Sequence, residues 1–304
     1  MKFDVEQIYD WRELYPFESH TTTINGRKYH YIDEGEGPTI LMVHGNPTWS
    51  FYWRNLIQAF RENYRVIAVD HIGCGLSDKP TASEYDFTLR NRIDDLKALV
   101  EELDLTDITL TAHDWGGAIG LGVAGEMPER FSRFVLLNTG AFLGESCPLR
   151  IRICRIPLLG KLAVQGFNGF SAAAVRMAVS RIRLSKLAAD GLLAPYDSWA
   201  HRLAVHQFVA DIPLKKGHRS WDTLQAVEDG LAQFREHPVC LIWGMKDWCF
   251  TPQFLERFQG FFPDAQVRKI EDAGHYVVED APDEVIETMT AFLVANVDSD
   301  EKSG

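Results

Sequence analysis

No stretch of this chain comes near the ~18 consecutive apolar residues of a membrane-spanning helix. The start, MKFDVEQIYDWREL, carries acids and lacks the hydrophobic block of a secretory signal. Cysteine is scarce: Cys74, Cys147, Cys154, Cys240 and Cys249 are odd in number and without CxxC spacing. That argues against a disulfide framework and points to reduced, mostly buried thiols in a cytoplasmic protein. Positive charge is short as well. With 31 Lys and Arg against 43 Asp and Glu the net charge is −12, which argues against nucleic acid as a general partner. No metal-ligand cluster stands out among the ten histidines, and no cofactor is expected. Internal repeats and low-complexity stretches are missing too.

What is present is an ordinary globular composition, 46% hydrophobic and 24% charged, in 304 residues that can bury a large core. Residues 21–24 and 28–32, joined by Asn25-Gly26, read as a hairpin with its expected turn. Residues 39–43 are a short run, apolar after Thr39, as in a central parallel strand. A helix near 50–60, a strand over 64–70 and a helical run through Leu89, Ile93, Leu96, Val100 and Leu103 follow. Strands over 107–111 and 133–138 flank a Gly/Ala-rich helix. From about 142 to 226 no strand is evident; then come a strand over 237–244, a helix over 252–261, a strand over 266–271 and a helix over 282–295, with a polar tail after it. The order implies an α/β fold: a mostly parallel, doubly wound sheet with an N-terminal antiparallel hairpin. Residues 1–141 and 227–304 would form the core, and 142–226 a helical cap inserted after the sixth strand.

One long stretch of the cap lacks acids. Between Glu145 and Asp190 there is no acid but eight bases, Arg150, Arg152, Arg155, Lys161, Arg176, Arg181, Arg183 and Lys186, so the remainder of the chain carries −20. These alternate with Ile151, Ile153, Ile156, Leu158 and Leu159. The plain reading is a solvated face that balances an acidic core. The sharper one is a surface for self-association into a homo-oligomer or for an acidic lipid interface.

The residues around Asp114 hold the most specific signal. A short strand turns into a helix at Leu110-Thr-Ala-His-Asp-Trp-Gly-Gly-Ala-Ile119, with small residues, Ala112 and Gly116, two places either side of Asp114. A strained strand-turn-helix elbow needs small neighbours there, and its corner commonly holds a nucleophile. A carboxylate is already ionised at neutral pH and can attack without a base. Asp at that place can equally cap the helix, so the distant residues decide. Asn46 follows the 39–43 strand, Asp247 the 237–244 strand, and His275 the last strand. In doubly wound sheets sites gather at the carboxyl ends of strands, and the order nucleophile, acid, histidine is that of the α/β-hydrolase triad. The other usual place for the acid, after the 133–138 strand, holds Leu137-Asn138-Thr139, which leaves Asp247; Asp272 and Asp280 are nearby loop acids, the latter suited to capping the last helix. The backbone N–H groups of Asn46 and Trp115 can form an oxyanion hole. The Asn46 amide and the Trp115 indole add two donors suited to a leaving group that departs as an anion.

Together, His44-Gly-Asn-Pro-Thr48, Asp70-His-Ile-Gly-Cys-Gly-Leu-Ser-Asp-Lys-Pro80, His113-Asp-Trp-Gly-Gly117, Gly244-Met-Lys-Asp247 and Ala273-Gly-His-Tyr276 resemble the haloalkane dehalogenases, over about 15–293. Ala194-Pro-Tyr-Asp-Ser-Trp-Ala200 and Phe208-Val-Ala-Asp-Ile-Pro-Leu214 are similar to the subfamily that also contains the β-lactone (oxetanone) decarboxylases of olefin biosynthesis. The resemblance implies an α/β-hydrolase fold. It also implies a reaction in which Asp114 displaces halide from a haloalkane, Asn46 and Trp115 hold the halide ion, and His275, oriented by Asp247, hydrolyses the ester. The rival it implies is conversion of a cis-β-lactone to a long-chain alkene and CO2 by the same residues. Trp49, Phe208, Ile212 and Tyr276 are the expected lining of the substrate tunnel. An epoxide hydrolase would want a second cap tyrosine beside Tyr196, and a fluoroacetate dehalogenase an arginine pair where Trp115-Gly116-Gly117 stands.

Overall fold

The computed structural model describes residues 10–144 and 147–300; the acidic start of the chain and the last four residues of its polar tail lie outside these. Eight strands form one sheet in the order β1-β2-β4-β3-β5-β6-β7-β8. They are β1 (Ser19–Ile24), β2 (Arg27–Glu34), β3 (Thr39–Val43), β4 (Arg65–Asp70), β5 (Ile108–Asp114), β6 (Phe131–Thr139), β7 (Val239–Gly244) and β8 (Gln266–Ile270). β2 pairs antiparallel with both β1 and β4, and every other pairing is parallel. The fold is thus the α/β-hydrolase sheet, with antiparallel strands confined to its N-terminal edge. Asn25 and Gly26 both take positive φ, 51° and 76°, the condition of a two-residue hairpin turn that matches strand twist.

β3 is buried along its whole length, and its side chains alternate between two cores. Leu41 and Val43 join the cluster with Leu110, Ile119 and Leu241, whereas Ile40 and Met42 face Ile57, Val135 and Val285. Two covered faces are why these strands read as unbroken apolar runs. The helix α1 (Arg54–Phe60) packs on the second face, with Pro282–Asp300, which runs beyond the expected 295; α2 (Leu89–Glu102) and α3 (Trp115–Glu126) pack on the first.

Between β6 and β7 the described residues form helices and turns only. We read 142–226 as a cap laid over the strand ends. Two of its ties involve acids that sequence alone left as bystanders. Asp280 does not cap the last helix: its carboxylate accepts from the backbone N–H groups of Ser180 (2.8 Å), Arg181 (3.0 Å) and Gly274 (2.7 Å). Asp272 pairs with Arg181, which also meets Glu284. Arg181 is therefore a bolt from cap to core rather than a free surface charge.

Candidate active site

The elbow begins with backbone geometry. Asp114 sits at φ 53°, ψ −126°, a region costly for any residue with a Cβ, at the junction of β5 and α3. Glycine clears the space around it. A Cβ on Gly45 would overlap the Asp114 carboxylate, and one on Gly116 would strike the Val43 carbonyl. The Thr139 hydroxyl donates to the Asp114 carbonyl and ties the corner to β6. The Asp114 side chain does not cap α3. Its Oδ1 instead accepts the Asn46 backbone N–H at 2.6 Å, which separates the two readings of this residue that the sequence left open.

His275 stands on the far side. Its Nε2 lies 3.6 Å from Asp114 Oδ2, and its Nδ1 donates to Asp247 Oδ2 at 2.8 Å. The Asp247 carboxylate is held by two further contacts. The Cys249 N–H donates to Oδ1 at 2.6 Å, and Asn138 Nδ2 donates to Oδ2 at 3.0 Å. Asn138 also binds Gly244 with both ends of its amide, at 2.8 and 3.1 Å. Asn138 does not stand out in the sequence because it is not a carboxylate. Its place at the end of β6, where an acid could otherwise sit, was the available signal.

Burial sets the electrostatics. It pushes the Asp114 carboxyl above its ordinary value, and the His275 imidazole and the N–H groups of Asn46 and Trp115 offset only part of that rise. Burial pulls His275 the other way, but the Asp247 carboxylate, with Asp114 behind it, raises it above the ordinary imidazole value. Both residues are nearly inaccessible, at 6% each.

Above them lies a cavity of about 330 Å³. Asn46, Asp114, Trp115 and His275 line its floor, and its walls are apolar, with Phe142, Phe170, Met177, Val209, Ile212 and Tyr276 among them. No hydrogen bond satisfies the Trp115 indole N–H among the described residues, while Asn46 Nδ2 spends one N–H on the Val205 carbonyl at 3.2 Å and retains a second. Two expected tunnel residues lie elsewhere. Trp49 is fully buried beneath the cap, where its indole donates to the Gly191 carbonyl (2.9 Å) and its ring stacks on Phe51. Phe208 stands behind the wall and packs on the Trp115 ring with centroids 5.5 Å apart, its other face covered by the Arg92 guanidinium. Tyr196 also turns away, its hydroxyl donating to the Thr48 carbonyl at 3.0 Å. The thiols depart from expectation too. Only Cys74 and Cys240 are buried in the core; Cys147, Cys154 and Cys249 are half-buried because they line the cavity, and none of the five is bridged.

This sheet, with its elbow and strand-end histidine, defines an α/β-hydrolase. The chain belongs to the alpha/beta hydrolase family, whose model matches residues 40–288. Within that family it falls in the group that holds both oxetanone decarboxylases and haloalkane dehalogenases. It is 48% identical over 284 residues to the cis-3-alkyl-4-alkyloxetan-2-one decarboxylase of Shewanella oneidensis, covering 92% of this chain and 89% of that protein. Identity to the enzyme of that name from Xanthomonas campestris is 39%, over 88% of this chain and 92% of that protein. Haloalkane dehalogenase 2 of Mycobacterium tuberculosis is 32% identical over 90% of this chain and 94% of that protein. The crystal structure of haloalkane dehalogenase DbeA from Bradyrhizobium elkani shares the fold, with a TM-score of 0.84 over 93% of this chain and 99% of that one at 24% identity.

Proposed function

We propose that this protein decarboxylates cis-β-lactones that carry long alkyl arms, with Asp114 as nucleophile. The observation that carries the reading is the cavity: its acid and its histidine lie on the floor, its walls are apolar, and the other charged lining residue, Arg150, stands exposed at the mouth. The greater similarity to the oxetanone decarboxylases supports placing this reaction ahead of dehalogenation.

In this mechanism Asp114 attacks the ring carbon that bears the lactone oxygen, on the face opposite that C–O bond. The bond breaks and its electron pair stays on oxygen, so the opened ring ends in a carboxylate. The Trp115 indole N–H and the second Asn46 N–H receive that anion. The pair in the bond between the adjacent carbon and the carboxylate then forms the C=C bond and expels Asp114, and CO2 leaves. Neither water nor a proton is consumed. Inversion on attack followed by departure from opposite faces yields the cis-alkene from the cis-lactone. His275 and Asp247 hold the electrostatic balance of the site and take no proton on this path.

Halide release from a haloalkane is the second reading, favoured by the unpartnered Trp115 indole donor. There the ester must be hydrolysed, and His275 would accept a proton from the attacking water. A paired assay decides between them: bromide from 1-bromoalkanes against cis-alkene and CO2 from a cis-β-lactone. Lactone kcat/KM is expected to exceed bromide kcat/KM by at least tenfold. Bromide release in excess, or a trans-alkene product, would overturn the first reading.

A further inference from the structure

We propose that the cap segment 149–167 is a docking surface for an anionic lipid bilayer, which holds the mouth of the cavity against the membrane. Of the twelve large hydrophobic side chains that are exposed among the described residues, ten fall between Leu149 and Trp199. The most exposed are Leu158 (84%), Phe167 (77%) and Leu149 (70%), with Leu159, Leu162 and Ile153 beside them. A protein that stayed in water would gain by hiding such a patch. The helix Leu149–Cys154 is apolar in two directions: Ile151 lines the cavity, while Leu149 and Ile153 face outward. It packs against Leu159–Lys161, which packs in turn on Leu162–Gly166, so these side chains form one surface. Leu158 takes φ 62°, a conformation that bulky residues seldom hold, and projects its side chain at the turn between the first two of these helices.

Charge singles out the occupant. Among the eight bases of the acid-free run, only Arg181 and Lys186 have carboxylate partners among the described residues. Arg152 and Lys161 are exposed within the apolar patch. A second copy of the chain would bring the same uncompensated cations face to face, whereas an anionic bilayer offers both the apolar interior and the opposite charge. No described helix is long and apolar enough to cross a membrane, so the contact lies in the interface. The cavity opens within the patch: its exposed lining residues are Arg150, Gly169 and Met177. A long-chain substrate dissolved in the bilayer could then enter without crossing water. The binding itself depends on surface side chains and not on which reaction the site performs.

The test is co-sedimentation with phosphatidylcholine vesicles, with and without phosphatidylglycerol, at low salt and at roughly 1 M salt, where the Debye length shrinks to about 3 Å. The full chain is expected to bind the anionic vesicles at least tenfold more tightly than the neutral ones, and to release at high salt. Arg152→Glu with Lys161→Glu, and separately Leu158→Ser with Phe167→Ser, should each weaken binding at least tenfold. None of these four residues lines the cavity, so turnover of a short, water-soluble substrate should be unchanged and would show that the variants are folded. Absence of binding to anionic vesicles at low salt would overturn the proposal. So would a dimer in solution that the Leu158→Ser, Phe167→Ser variant dissociates without any loss of vesicle binding.

Discussion

At the scale of single residues, Asp114 and His275 stand 3.6 Å apart, and burial disfavours the charged form of each. The two candidate reactions ask different things of this pair. Decarboxylation needs Asp114 ionised and uses no base, so its rate should fall on the acid side only as Asp114 takes up a proton, at a pH above the ordinary carboxylate value. Hydrolysis of an alkyl ester needs neutral His275. Because the pKa of His275 is raised, the imidazole stays protonated to a higher pH than usual, and the acid limb of bromide release should lie above pH ~6.5. Profiles of kcat against pH for the two substrates on one enzyme should therefore separate, with bromide release failing first as pH falls. Coincident limbs would count against this division of labour. Asn138 belongs to the same scale. Asn138→Ala removes an N–H donor from the buried Asp247 carboxylate, which leaves more of that charge to the His275 N–H and strengthens its hold on the His275 proton. The expected result is a lower melting temperature, by about 1.5–3 kcal/mol of stability, and a bromide-release limb moved to still higher pH. A loss of stability with no shift in the limb would reduce Asn138 to a packing residue.

At the scale of elements, the strands and the elbow were legible because each answers to a local rule. β3 is buried on both faces and is apolar from Ile40 to Val43, Asn25-Gly26 supplies two positive φ angles, and Gly45 and Gly116 stand where a Cβ has no room. What could not be read was which side chain a loop residue meets. Asp280 looks like a cap in sequence but accepts N–H groups from residues a hundred positions away, and Trp49 follows the 44–48 loop yet turns under the cap. Asp70 is a third case, since its motif position said nothing of its load. It is fully buried, and its carboxylate accepts from His30 Nδ1 (2.8 Å), the Ser50 N–H (2.7 Å) and the Leu76 N–H (2.8 Å), so it pins β2, the turn that leads into α1 and the loop after β4 to one point. Burial alone would raise its pKa, but the His30 charge and these hydrogen bonds hold it far below the ordinary range. A carboxyl depressed in the fold contributes stability that is fully present above its unfolded pKa, near 3.9, and is lost as pH falls through the folded value. Asp70→Asn should thus cost about 3–5 kcal/mol at pH 7, as for a buried pair that loses one partner. In urea titrations the gap to the unsubstituted protein should narrow steadily below pH ~4, and a gap that stays constant with pH would contradict this account.

At the scale of the whole molecule, the sheet contributes a fixed floor and the cap contributes apolar walls, so recognition and chemistry are assigned to different layers. Asn46, Asp114, Asp247 and His275 sit on strand ends or the loops directly after them, held by Gly45, Thr139 and Asn138, and no substrate arm need touch them to be bound. In the proposed reaction the arms would meet Phe170, Ala174, Met177 and Ile212, which offer contact without direction. A wall of that kind discriminates by length alone. Each methylene taken from water into it is worth ~0.8 kcal/mol, or about fourfold in kcat/KM, until the cavity is filled. Across a series of cis-β-lactones, kcat/KM should climb by about that factor per carbon and then level off, with kcat nearly constant, because the added contacts lie far from the reacting bond and are equal in ground and transition states. Ala174→Phe takes space from the wall without touching the floor. It should bring the plateau to shorter chains and leave the shortest substrate unaffected. If that variant instead lowers kcat equally for every length, the cap takes part in the chemistry and the division between layers does not hold.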